Sequence, residues 1–521
     1  MAPNVRRTGF WYIAEDEPDR PALILPDGKR WSYGDLHARA NQLAHGLRSL
    51  GLVSGDGVVV AVQNGETYFS LQLAAMQLGL YFTAANHHLT ATELAYILTD
   101  SEASVLVCSA VHAETCAEAA GEAKLAPERC FVEGSEAVGG VLPLTRLFEG
   151  EPATPPSDRV PGKLMSYTSG TTGRPKGIRR AIRPGDPSEI AARSTGYASG
   201  FGLIPFAGVN LVEGPLYHAG PYGLAWGSLH LGHAQVVTTR FDAEELLALV
   251  EKYHVTSTSL VTTMFHRLLR LPEEVRNRHD LSSLQMVMHS ASPCPVETKQ
   301  KIMDWWGPVL WEMYGGTEGT ATRVGPKEWL ERPGTVGRPV DDKTEILILD
   351  EADVECAPGE TGRVFIRKAH PFEYWKDEEK TKAAHQGGAF HLGDLGRLDE
   401  DGYLFLTGRA SEVIISGGVN IYPAEIESRL LAHPEVVDVA VIGAPDEEWG
   451  ERVVAFVQSG SQRAHDDAFR EELIAFCRDG LAKFKCPREV ELRERLPRDD
   501  NGKLYRKQLR DSRWEGQGRW I

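Results

Sequence analysis

Residues 167–180 read YTSGTTGRPKGIRR. Four Ser/Thr hydroxyls, three glycines and a lysine are crowded into one short loop. Such a loop is costly to order, because glycine loses more backbone freedom on folding than any other residue. The composition suits an anion held against the backbone. Successive N–H groups form a nest, hydroxyls donate to phosphate oxygens, and Lys176 supplies charge. The loop departs from the G-x-x-x-x-G-K-[ST] pattern, since Pro175 precedes the lysine and Gly177 follows it. Taken alone it reads equally as a phosphate cradle or as a solvated Gly/Ser linker.

The flanks of the loop alternate between strand and helix patterns. Leu36, Ala40, Leu43, Leu47 and Leu50 share one face of a helix over 32–50. The run VVVAV (58–62) reads as a buried strand, followed by a helix from Tyr68 to Leu78. TATE (90–93) is a capping box, in which Thr90 takes a free amide and Glu93 reaches back. A further helix and the strand SVLVC (104–108) follow. The alternation recurs around 234–239, 256–261 and 284–291, which predicts an α/β layer with parallel sheet. Residues 177–200, rich in Gly, Pro and Arg, read as a mobile excursion. From about 340 the texture changes to alternating strands of a smaller β unit, TEILILD and GRVFIRK. Two strands over 435–457, a helix at 467–478 and a basic tail form a separate α+β unit. The expected architecture is a large N-terminal domain of layered α/β subdomains plus a β unit, residues 1–409. A small mobile α+β domain, 410–521, follows a boundary at 409–412.

Bulk properties narrow the function classes. The chain has 521 residues, 42% hydrophobic and 25% charged, with a net charge of −17. That charge excludes a coat for nucleic acid or anionic membrane. Seven scattered cysteines without a C-x-x-C pair suggest reduced thiols and a cytoplasmic protein. No apolar run is long enough for an integral membrane segment.

Four further stretches decide how the loop is read. They are YGGTEG (314–319), FHLGDLGRLDEDGYLFLTGR (390–409), SGGVNIYPAEIE (416–427) and LPRDDNGKLYRKQLR (496–510). In this order, with the opening loop, they resemble the adenylate-forming superfamily, which includes acyl-CoA synthetases, firefly luciferase and peptide-synthetase adenylation domains. The resemblance covers nearly the whole chain and implies ATP, Mg²⁺ and coenzyme A as cofactors, with a small-molecule carboxylic acid as partner. By that resemblance, Thr168, Ser169, Gly170, Thr171, Thr172 and Lys176 hold the β- and γ-phosphates. Tyr314 stacks on adenine, Thr317 contacts the α-phosphate, and Glu318 holds Mg²⁺. Asp394 accepts from the ribose hydroxyls, assisted by Arg409. Lys503 bridges carboxylate and α-phosphate, as a point cation suits two approaching anions. PLYHAGP (215–221) resembles the stretch flanking the acyl pocket, with His218 beside the substrate carboxylate. MHSASPCP (288–295) resembles a wall of the site, where His289 and Cys294 are wall residues and not nucleophiles. Gly417 and Gly418 resemble the backbone lining a pantetheine tunnel.

The implied chemistry has two steps: a carboxylate is adenylated, and a thiol then displaces AMP. The family alternates between them by rotating its small domain, and the hinge position here is Ser411 followed by Glu412. Leu392, Ser290 and Ala291 also depart from the family pattern. The expected activity is AMP-forming ligation of a hydrophobic acid to CoA. Small residues Ala219, Gly220 and Gly223 suggest room for a bulky acyl group. A member that only makes thioester from a supplied adenylate, and a catalytically silent binding protein, stay open, as does a homodimer.

Overall fold

A computed structural model of the chain describes residues 6–168, 175–292, 294–369, 372–460, 467–499 and 502–514. Among them the chain forms a large mixed α/β domain and a small α+β domain. Two largely parallel sheets build most of the large domain. The first runs Leu142–Pro143, Cys130–Val132, Ala103–Cys108, Gly57–Ala61, Tyr81–Ala84, Lys163–Thr168 and Lys176–Arg179 in spatial order. The second has at its centre Leu310–Gly316, Met286–His289, Ser257–Leu260, Val209–Val212 and Ala234–Val237, all parallel. Gly57–Ala61 is buried at every position, as the unbroken VVVA run requires of a strand covered on both faces.

The helices that cover these sheets begin where their caps dictate. Ser32 accepts from the Asp35 amide while Asp35 reaches back, so the helix Tyr33–Ser49 starts at a capping box. Thr90 and Glu93 do the same for Ala91–Asp100. Leu36, Ala40, Leu43 and Leu47 are buried between the first helix and its neighbours, whereas Leu50 is only half-buried. The segment expected to be a mobile excursion instead carries the strand Lys176–Arg179 and two short helices, Pro187–Ser194 and Gly196–Ser199. Asp186 caps the first of these and Pro187 occupies its first turn, a start signal outweighing the Gly/Pro/Arg composition.

An antiparallel unit follows, with Thr344–Leu349, Gly362–Lys368, Ala389–Leu398 and Leu404–Arg409 as its main strands. The small domain centres on the hairpin of Val436–Asp446 and Gly450–Ser459, flanked by Pro423–Leu431 and Asp467–Gly480. Among the described residues no helix is long and apolar enough to cross a membrane.

Candidate functional site

The parallel strands of the second sheet end at one edge, where ligands settle in open α/β sheets. Three expected site stretches leave from that edge. His218 follows Val209–Val212 and precedes the helix Ala219–His230. Ser290–Ser292 follow Met286–His289, and Tyr314 lies in Leu310–Gly316. Thr317 and Glu318 are the two central residues of the turn that leads into Gly319–Val324, with Gly316 opposite Gly319. The turn closes tightly. A Cβ on Gly315 would lie 2.5 Å from the Gly319 carbonyl oxygen, so only glycine fits there.

The antiparallel unit meets this edge. Tyr314 donates its hydroxyl to Asp394 Oδ2 at 2.8 Å, and Arg409 Nε donates to Asp394 Oδ1 at 3.2 Å. The sheet register places Asp394 directly opposite Arg409. Asp394 is 9% exposed. Burial raises its pKa, against the pull of Arg409 and of the Tyr314 hydrogen bond. A carboxylate has about four lone-pair sites, so two remain for further donors such as a pair of vicinal hydroxyls.

Glu318 has its own ring of partners. Tyr374 donates to its Oε1 at 2.8 Å, and Arg180 Nη2 donates to its backbone carbonyl at 2.8 Å. Lys176 Nζ sits 4.7 Å from the Tyr374 ring centroid. Burial lowers the Lys176 pKa first, and Lys380 adds to this, while Asp377 and Glu318 oppose it. Two cations beside one carboxylate suit a polyphosphate carrying a hard divalent cation, since Mg²⁺ is bound through one or two carboxylates plus phosphate oxygens. The expected phosphate loop spans the gap between Lys163–Thr168 and Lys176–Arg179, which pair antiparallel with Thr168 opposite Lys176. Ser169, Gly170, Thr171 and Thr172 lie outside the described residues.

Lys503 reaches this region from the small domain. It is exposed, yet desolvation by the surrounding protein and the charge of Arg409 lower its pKa. Asp499, Glu318 and Glu412 act in the opposite direction. The loop bearing it is braced. Lys503 N donates to Asp499 Oδ1 at 2.8 Å, and Arg498 Nη1 donates to the Gly502 carbonyl at 2.6 Å. Arg498 also clasps Asp438 through two hydrogen bonds of 2.6 and 2.7 Å. Gly502 has φ 75°, and a Cβ there would meet Thr263 Oγ1 of the large domain at 2.2 Å. Arg270 Nη2 of the large domain donates to the Val436 carbonyl at 2.5 Å.

Other expected residues lie elsewhere. Gly417 and Gly418 are the two-residue turn between Ile414–Ser416 and Val419–Ile421, with φ 59° and 80°. That geometry is why both are glycine. The turn is exposed on the small domain, against Trp449. The room expected near Gly223 is filled, because a Cβ there would lie 3.3 Å from the Tyr197 ring. The Tyr197 hydroxyl lies 3.4 Å from the Met288 sulfur and 3.3 Å from that of Met313, within a packed aromatic and thioether cluster. His289 is fully buried, and burial holds its pKa well below the ordinary value, so the ring is neutral. Burial pushes the Cys294 thiol up to about 12, which leaves it inert near neutral pH. Tyr374, Arg180, Arg498 and Asp438 escaped sequence reasoning. A Tyr or Asp between motifs carries no local signal, although Arg180 closes the opening stretch and Arg498 stands inside the LPRDDNGK stretch.

Comparisons with known proteins identify the family. Residues 10–375 match the family described as AMP-binding enzyme, and 425–503 match its C-terminal domain. The chain is 32% identical to 2-succinylbenzoate–CoA ligase of Bacillus pumilus, over 95% of each protein. It is also 32% identical to feruloyl-CoA synthase of an Amycolatopsis species, over 96% of this chain and 98% of that one. Among solved structures, o-succinylbenzoate CoA synthetase of Bacillus subtilis, in complex with its acyl-adenylate intermediate, superposes with a TM-score of 0.77 at 27% identity. That match covers 97% of this chain and 98% of the other. With both domains matched in order, the chain belongs to the AMP-binding enzyme family, within the adenylate-forming superfamily.

Proposed function

We propose that the protein activates a hydrophobic carboxylic acid with ATP and transfers the acyl group to coenzyme A, releasing AMP and pyrophosphate. It is an AMP-forming acid–CoA ligase, and the family's cofactors are ATP, Mg²⁺ and CoA. One observation carries the reading: Lys503 of the small domain lies close enough to Arg409 and Glu318 of the large domain for their charges to act on it, and Arg409 is bonded to Asp394, which also accepts from Tyr314.

Each group has a task in the first step. Asp394 accepts the ribose hydroxyls, held ionised by Arg409, while the Tyr314 ring covers the adenine. Thr317 and the 168–172 loop donate to phosphate oxygens, with Lys176 and Arg180 as counter-charges. Glu318 holds Mg²⁺, which when bound neutralises charge building on the phosphates. His218 stands beside the acyl carboxylate. A carboxylate oxygen attacks the α-phosphorus, the bond to the bridging oxygen breaks, and pyrophosphate leaves. Two anions approach one another here, so Lys503 contributes most when its ammonium lies between them. The desolvation that lowers its pKa in the empty cleft is offset once the anions arrive.

In the second step the thiolate sulfur attacks the acyl carbonyl carbon and AMP departs. This needs an open channel where Lys503 stands. We propose that the small domain turns about 409–412 and presents the Gly417–Gly418 face instead. Side-chain contacts support a pivot there. Arg409 is held by Asp394 of the large domain. Ser411 and Glu412 are held by the small domain, through Arg510 at 3.3 Å and Arg506 at 3.0 Å. Bending therefore concentrates on the few bonds around Ala410. The aromatic acids in the names of two relatives are the first to try. The deciding experiment is pyrophosphate release over a panel of aromatic and fatty acids, with and without CoA. Release with no acid, alongside conversion of supplied acyl adenylates to thioester, would overturn the reading in favour of a member that performs only the second step.

A further inference from the structure

Two loops bring three imidazoles together outside the cleft. His87 and His88 follow the strand Tyr81–Ala84, and His112 ends a short 3-10 turn after Ala103–Cys108. Both strands pair in parallel with Gly57–Ala61, one on each side, so their loops leave the sheet at the same edge. One ring nitrogen from each histidine lies within 4.8 Å of the other two. The ring centroids are 4.2, 5.3 and 5.6 Å apart. His88 is exposed and the other two are half-buried.

Ring packing alone would not need nitrogen at that point, and apolar aromatics would pack there without polar atoms to satisfy. Neutral imidazole is the commonest metal ligand among side chains. Three of them match the donor set of open zinc sites, in which three protein ligands leave a fourth position for water. We propose that His87, His88 and His112 form a binding site for a divalent transition-metal ion of the zinc class. The three ligands are imidazoles, with no carboxylate among them, which selects zinc, copper or nickel over magnesium and calcium. Zinc–nitrogen bonds of about 2.0–2.1 Å place tetrahedral ligands about 3.4 Å apart. The ligand atoms therefore close by up to about 1.4 Å on the ion, within reach of a rotamer change at exposed His88. Backbone contacts fix where the loops start. The His88 amide donates to Asn86 Oδ1 at 2.9 Å, and the His112 amide to the Ser109 carbonyl at 3.0 Å. The site also adjoins the acyl side of the cleft. The His87 ring is 5.7 Å from Tyr217, whose ring is 4.5 Å from His218.

The test uses full-length protein without a histidine tag, stripped with chelator and titrated calorimetrically with zinc chloride. One saturable site per chain is expected, undisturbed by excess magnesium chloride. His88→Ala and His112→Ala should each weaken it by at least about tenfold, the loss caused even by removing a partner behind a ligand. His45→Gln, on the helix Tyr33–Ser49, should leave it unchanged. Cupric ion bound in the same place should show nitrogen hyperfine coupling in electron paramagnetic resonance, reduced in both alanine variants. No saturable zinc binding, displacement by magnesium, or binding retained in both variants would overturn the proposal. Because the readout is metal binding, its failure leaves the ligase reading untouched, and the reverse holds.

Discussion

Asp394 and Lys503 both lie beside Arg409, yet they are held there by different means. Asp394 is placed by sheet register. It stands opposite Arg409 in paired strands, is 9% exposed, and accepts a hydrogen bond from Tyr314 on a neighbouring sheet. Moving it means re-registering a sheet, which turns every side chain of the strand to the other face. Lys503 is placed by a turn, by the Arg498 clasp on Asp438, and by the fit of Gly502 against Thr263. Only the last of these crosses between domains. The half that binds nucleotide is thus built into the scaffold, while the cation needed for the first step sits on a part that can leave.

This contrast yields a graded set of expectations. The largest effect belongs to Lys503→Ala. Adenylation from ATP and acid should fall by about 10²–10³, the usual loss for a preorganised charge-stabilising group. Thioester formation from supplied acyl adenylate and CoA should survive, measured by product chromatography. Equal damage to both steps would erase the distinction between the two regions. On the scaffold side, Asp394→Ala removes charge-assisted hydrogen bonds of roughly 1.5–3 kcal/mol. Acyl-adenylate affinity should drop about ten- to a hundredfold, read by calorimetry, and both steps should suffer.

A smaller effect sharpens the domain contact. Gly502→Ala puts a methyl on Thr263 and strains a residue at φ 75°. Adenylation should fall by about tenfold, the equivalent of 1–2 kcal/mol for a left-handed alanine, with the second step unchanged. Thr263→Gly should recover part of that loss, and no recovery would mean the contact does not position Lys503. On the opposite face, Gly418→Asn tolerates the left-handed turn while adding a side chain. It should slow thioester formation and spare pyrophosphate release.

The smallest change concerns stability alone. Ala291 has φ 72°, a conformation costing about 1–2 kcal/mol for a residue with a Cβ. Glycine removes that strain but frees the unfolded chain by about 0.4–1 kcal/mol. Ala291→Gly should therefore stabilise the large domain by roughly 0.5 kcal/mol, checked by chemical denaturation. A loss of stability would show the left-handed backbone to be held by contacts that need the methyl.

The sequence by itself determined the element order and the family. The capping box at Thr90, the buried VVVA strand and the five ordered motifs are local patterns, and local patterns survive in one dimension. The misread segment at 177–200 shows the limit, because composition suggested mobility where Asp186 and Pro187 in fact start a helix. Only the tertiary structure decided which side chains meet. Tyr374 on Glu318, the Arg498–Asp438 clasp, Tyr197 in the space left by Gly223 and the three histidines from two loops all join residues far apart in the chain. Such encounters depend on sheet order and register, which arise from the packing of all the elements together and leave no mark at any single position.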